Sequence, residues 1–161
     1  MKKPIFITYG NRKVETLALT DCGAKGASYM DLSFAKQHRI PLHPLKKKVT
    51  VRNVDGTINQ SGAITEYVNV RVEVQGRERP LLLLITTLGR ETVILGYPWL
   101  MKENPEIDWR KQTLQWRKEQ PYRINMVLPS EPFKHIEDNS LVISAINRRL
   151  TDEAREAWMK T

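Results

Sequence analysis

The sequence predicts an all-β domain of short strands with one or two short helices. Three features carry this expectation. β-Prone runs are separated by Gly-containing turns, Tyr67 to Val74 alternates strictly, and helix signals are confined to short stretches.

Pro4 to Tyr9 is apolar and β-prone, Gly10-Asn11 is a turn signal, and Arg12 to Thr20 follows with Leu17 and Leu19 on one face. This hairpin runs directly into Asp21-Cys22-Gly23-Ala24. Asp31 is placed to cap a short helix through Phe34, Ala35 and His38, which Pro41 and Pro44 end. Val49 to Val54, Asp55-Gly56 and Ile58 to Ile64 form a second hairpin whose polar arms, with Gly62, predict a mobile element projecting into solvent. In the third, Val68, Val70, Val72 and Val74 share a face, Gln75-Gly76 turns, and Pro80 to Thr86 returns. Val93-Ile94-Leu95-Gly96 reads as a short buried strand. Tyr97-Pro98-Trp99-Leu100 opens a helix with proline in its first turn, and Asn104-Pro105 stops it. Two short strands follow, Ile107 to Trp109 and Thr113 to Trp116. Trp99, Trp109 and Trp116 are expected to fill the core.

After Trp116 the texture changes. Lys118 to Lys134 carries Pro121, Pro129 and Pro132 and few core residues, so it reads as a linker. Leu141 to Ile146 is a small apolar run, and Thr151 caps an expected terminal helix that contains Trp158. The division expected is a domain over 1–117 and a linker-and-helix tail over 118–161. No internal repeat is visible, so the chain carries a single lobe.

Composition excludes several classes. The chain has 161 residues, 40% of them apolar, which is ordinary for a globular domain. No apolar run approaches the roughly 20 residues of a membrane span, and no signal peptide is visible, so an intracellular setting without a membrane partner is expected. The single cysteine, Cys22, cannot form an internal disulfide, and His38, His43 and His135 have no metal-ligand spacing; no metal or cofactor is expected. The net charge of +8 is scattered, and its densest cluster, Lys46-Lys47-Lys48, reads as a solvated strand edge. Nucleic acid is therefore not expected as a direct ligand.

The sharpest chemical feature is a strand ending in Asp-x-Gly-Ala: Leu17-Ala18-Leu19-Thr20-Asp21-Cys22-Gly23-Ala24. An apolar strand delivers a carboxylate toward the interior, where it is costly unless paired or functional. Asp55-Gly56, by contrast, is a turn without chemistry. Later in the chain, Ile94-Leu95-Gly96 and its helix are positioned to pack beneath the first loop.

On these residues the chain resembles the retropepsins, and closely the gypsy-type LTR retrotransposon proteases of fungal genomes. Asp21-Cys22-Gly23-Ala24 is similar to that family's Asp-Ser/Thr-Gly-Ala loop. Val51-Arg52-Asn53-Val54-Asp55-Gly56-Thr57 is similar to its flap. Val93 to Leu100 with Asn104-Pro105-Glu106-Ile107-Asp108-Trp109 is similar to its Ile-Leu-Gly-x-Pro-Trp-Leu segment and the Asn-Pro-x-Ile-Asp-Trp that follows. The match covers residues 5 to 117, and the tail resembles the connector toward reverse transcriptase.

The resemblance implies a closed acid-protease barrel and a homodimeric endopeptidase acting on a polypeptide, the polyprotein, in the cytoplasm or a retrotransposon particle. Asp21 would be catalytic, with Cys22, Gly23 and Ala24 as its loop. Asn53, Val54, Asp55, Gly56 and Thr57 would form the flap, and Ile94, Leu95 and Gly96 would support the loop. One aspartate cannot do this chemistry. Two facing carboxyls share a proton; the ionised one activates water and the protonated one donates to the scissile carbonyl. The second must come from a twofold-related copy.

Two departures stand out. Cys22 replaces a Ser or Thr whose hydroxyl ties the two loops together, and a thiol bonds more weakly. Lys25 places a cation after Ala24, where it would oppose proton sharing if it pointed inward. They motivate an alternative, a catalytically impaired dimerisation or peptide-binding module on the same fold. An RNA-binding domain and a Cys22 nucleophile with His38 as base rank below both, because neither a basic stripe nor a supporting spacing is present.

Overall fold

The computed structural model describes residues 1–52, 55–58 and 62–118, and the backbone of 140–142. β1 (Lys2–Tyr9) and β2 (Arg12–Asp21) pair antiparallel about Gly10, whose φ of +54° suits the turn. β5 (Ile64–Val74) and β6 (Arg77–Thr86) form the long hairpin, in register from Tyr67↔Leu84 to Val74↔Arg77. β3 (Tyr29–Asp31) inserts between β6 and β7 (Val93–Gly96), parallel to the first and antiparallel to the second. β7 lies parallel to β2, with Asp21 opposite Gly96. β1 also pairs with β5, so the order β1-β2-β7-β3-β6-β5 returns to β1 and closes a six-stranded barrel. Closure removes the free edges that an open sheet would expose.

Two short helices attach to this barrel. α1 (Leu32–Gln37) is capped by Asp31, and α2 (Tyr97–Glu103) starts with Pro98 in its first turn and ends at Asn104, which is left-handed. β8 (Glu106–Asp108) and β9 (Thr113–Gln115) form a small separate hairpin. Its follower, Trp116, donates its indole N–H to the carbonyls of Val74 and Gln75 and packs edge-on against Trp99 of α2. The base of α2 is thus tied to the tip of the β5–β6 hairpin.

The strands bury side chains on both faces, which divides the core in two. One cluster holds Ile5, Ile7, Ala18, Met30, Val93, Leu95 and the four alternating valines of β5, with Trp99 and Leu114 beside them. The other holds Leu19, Ala24, Ala27, Tyr29, Leu84 and Ile94, covered by Val49 and Val51 of β4 (His43–Arg52).

Several expectations change in detail. Leu17 and Leu19 do point the same way, yet Leu17 is 52% exposed while Leu19 is buried, because the second cluster covers only the end of β2. Pro44 lies inside β4 and does not close the helix; His38 and the left-handed Arg39 do that. Trp109 is half exposed and fills no core in this chain, since it sits at the turn between β8 and β9. Among the described residues, the second hairpin is paired at Arg52↔Ile58 and at Val49↔Ile64, the latter as the end of a longer pairing of β4 with β5. In the tail, β10 (Ser140–Val142) lies parallel to β4 at Thr50–Arg52. The expected terminal helix at Thr151, together with Trp158, lies outside the described residues.

Candidate active site

β2 ends at Asp21, and the chain must leave the barrel there because the next residues turn. The turn is held by the carboxylate itself: the Gly23 N–H donates to Asp21 Oδ1 at 2.9 Å, and the Ala24 N–H donates to the Asp21 carbonyl at 3.3 Å. Asp21 Oδ2 is buried and has no hydrogen-bond partner among the described residues. A buried carboxylate oxygen without a partner is costly in a purely structural role.

The loop is seated on β7 and the start of α2. The Tyr97 N–H donates to the Ala24 carbonyl at 2.8 Å, and the Gly96 N–H donates to Ser28 Oγ at 2.9 Å. A Cβ on Gly96 would stand 1.9 Å from the Ala27 carbonyl oxygen and 2.7 Å from that of Ala24. Glycine is therefore required by close backbone approach. Ile94 supports the loop from the second cluster, whereas Leu95 points into the first.

Asp31 anchors the far end of the same segment. One carboxylate oxygen accepts from Phe34 N at 3.2 Å and the other from Leu88 N at 3.0 Å, and its own N–H reaches the Thr92 carbonyl. The sequence marked Asp31 as a helix cap; its bond to Leu88 depends on tertiary proximity. Ser28 carried no local signal. Tyr29 was also missed: it is fully buried, its hydroxyl lacks a partner among the described residues, and burial together with the charge of Asp21 pushes its phenol well above the usual range.

Of the expected site residues, Asp21, Gly23, Ala24, Ile94 and Gly96 come together here. Cys22 and Lys25 are both exposed, so the lysine side chain points to solvent. The described part of the flap is a tight turn. Asp55 Oδ1 accepts from Thr57 N and Thr57 Oγ1, which holds the Asp55 carboxyl below its ordinary range, and Arg52 donates to the Gly56 carbonyl. Asn53 and Val54 lie outside the described residues. Among the described residues, no group of three or more His, Cys, Asp or Glu side chains is arranged to hold a metal ion. No helix among them is long and apolar enough to cross a membrane.

A single-lobed closed barrel with an Asp-x-Gly-Ala loop resting on an Ile-Leu-Gly strand is of the retropepsin-like aspartic protease class. The chain belongs to the PEG10/RTL1 protease domain family, whose model matches residues 17–123. Among solved structures, it is similar at 14% identity and a TM-score of 0.43 to the retroviral protease-like domain of Ddi1 from Leishmania major, over 76% of this chain and 99% of that one. The inhibitor-bound EIAV protease is 16% identical with a TM-score of 0.43, over 67% and 91% of the two chains. The simian foamy virus (mac) protease is 18% identical with a TM-score of 0.37, over 62% and 97%.

Proposed function

We propose that the chain is an aspartic-type endopeptidase that works as a homodimer, with Asp21 from each copy meeting at a twofold axis. The observation that carries this reading is the state of Asp21. One carboxylate oxygen is fixed by the Gly23 N–H and the other is buried without a partner among the described residues, on a loop whose neighbouring residue, Cys22, is exposed. One chain supplies one such loop, and water activation needs two carboxyls sharing a proton.

The surface beside the loop supports a second copy. Tyr97, whose N–H holds the Ala24 carbonyl, and Met101 one helical turn later both expose large apolar side chains. In the dimer, the ionised aspartate takes a proton from water while its protonated twin donates to the substrate carbonyl. The 55–58 turn, as part of the flap, would lie over an extended polypeptide and exclude water. Processing of a gypsy-type Gag-Pol polyprotein, with 118–161 as the connector to a downstream domain, is the setting we assign.

The test combines a peptide-library cleavage assay at mildly acid pH with molecular mass in solution. Cleavage by a dimer that vanishes in Asp21→Asn supports the endopeptidase. A dimer that binds peptide without cleaving it supports the second reading, an impaired module, for which Cys22 in place of a hydroxyl speaks. A strict monomer with no cleavage overturns the first reading.

A further inference from the structure

Each of the six barrel strands lies between two others. β4 does not: it stands outside the ring, and the barrel offers it β5 alone. Its other edge therefore presents N–H and C=O groups that need partners. Over the first part of β4 this edge is guarded. The strand bulges between Pro44 and Val49, and Lys46, Lys47 and Lys48 on the bulge are exposed. Bulges and lysines both discourage the addition of another strand. From Thr50 to Arg52 neither guard is present. Val51 is buried in the second cluster, which also holds Ala24 of the Asp21 loop, and Arg52 turns its guanidinium to the Gly56 carbonyl.

This unguarded stretch is where the tail strand lies. Ser140, Leu141 and Val142 pair in parallel with Thr50, Val51 and Arg52. Arg52 is bridged on its other side to Ile58, so the tail strand and the return arm of the second hairpin flank the same residue. The occupied edge thus leads directly into the 55–58 turn. Among the described residues β10 pairs with β4 alone, and the barrel closes without it, so this pairing is separable from the fold. The sequence adds a second match. Lys46-Lys47-Lys48 precede the paired stretch on β4 and Glu137-Asp138 precede Ser140, so two segments that pair in parallel carry opposite charge in the same order. Such complementarity selects a partner and fixes its register.

We propose that the outer edge of β4 at Thr50–Arg52 is a docking site for one extended strand, that the chain's own residues 140–142 are its resident occupant, and that a polypeptide drawn beneath the flap must displace them. The competition with substrate rests on the endopeptidase reading; the docking itself does not. An extended peptide gains main-chain hydrogen bonds by adding to a sheet edge, and one edge takes one strand. A tethered occupant acts at an effective concentration on the order of millimolar, so even a weak pairing fills the site. The tail then lowers the share of molecules open to another polypeptide, and the apparent affinity for that polypeptide falls by the same factor.

The test uses the full chain and its double variant Leu141→Pro, Val142→Pro, which removes two N–H groups from the tail strand and leaves every barrel residue in place. The probe is a fluorescent peptide with the sequence of residues 137–146. Fluorescence anisotropy should show it binding the variant roughly 10-fold more tightly than the unaltered chain. Equal affinity, or no binding to the variant, overturns the proposal. A second measurement needs no variant. In the unaltered chain, hydrogen exchange should find slowed amides within 141–142, and exchange there at the rate of a free chain overturns the pairing. In a peptide-cleavage assay, kcat/KM of the variant should exceed that of the unaltered chain by roughly the same 10-fold, and the 137–146 peptide should inhibit the variant competitively. Equal cleavage by both proteins, indifferent to the peptide, overturns the competition. A variant that binds the peptide tightly while neither protein cleaves supports the docking site and overturns the endopeptidase reading instead.

Discussion

The Tyr97 N–H donates to the Ala24 carbonyl at 2.8 Å, which joins the first residue of a helix to the loop that carries Asp21. Next to this bond, Gly96 lies so close to the loop backbone that a Cβ would stand 1.9 Å from the Ala27 carbonyl oxygen. Gly96→Ala is expected to destabilise the fold by about 3 kcal/mol, at the upper end of overpacking costs. Urea denaturation measures it, and an unchanged midpoint would contradict the close approach.

Asp31 holds two distant pieces of chain, the start of α1 and the Leu88 N–H. Asp31→Ala removes both acceptors and leaves a buried N–H unsatisfied. A loss of about 2–4 kcal/mol follows from a cap plus one buried bond. Asp31→Asn, which keeps one acceptor, should recover part of it in the same thermal or urea measurement.

Trp116 donates to two carbonyls at the tip of the β5–β6 hairpin, and the Arg77 guanidinium stacks 4.2 Å from its ring centroid. Trp116→Phe keeps much of the ring contact and loses the donor. The expected cost is about 1–2 kcal/mol. Hydrogen exchange at 74–77 should rise along with it, since those residues lose their tie to α2.

Cys22 offers a direct test of the dimer. Its thiol is exposed in the single chain, so alkylation should be fast at low protein concentration and slow once dimers form. Cys22→Ser restores a hydroxyl at that position and should tighten the dimer by about 3- to 10-fold, as one net hydrogen bond would. Sedimentation equilibrium reads both proteins. Equal reactivity at all concentrations would separate Cys22 from any interface.

The Asp55 turn gives a pH prediction with a definite sign. Its carboxyl is held low chiefly by the Thr57 hydroxyl, then by the Thr57 N–H. Its contribution is therefore present above the ordinary carboxylate value of about 4 and is lost as pH falls through the lower folded value. Thr57→Val should raise the Asp55 titration toward the ordinary value in carboxyl NMR. An unaltered titration would refute the hydroxyl bond.

Local chemistry was enough for much of the molecule. Alternating valines placed β5, Gly10 and Gln75-Gly76 marked turns, Asp31 and Pro98 marked helix starts, and Asp21-Cys22-Gly23-Ala24 marked the candidate loop. Each of these depends on residues a few positions apart, where period and turn preference act directly. Barrel closure settled the rest. It put β3 between β6 and β7, buried the consecutive residues Ala18, Leu19 and Thr20 on both faces of one strand, and left Leu17 outside. It also brought Ser28 to Gly96 and Asp31 to Leu88. Those relations join residues far apart in sequence. They exist only after the entropy of closing long loops has been overcome by packing, so no window of neighbouring residues contains them.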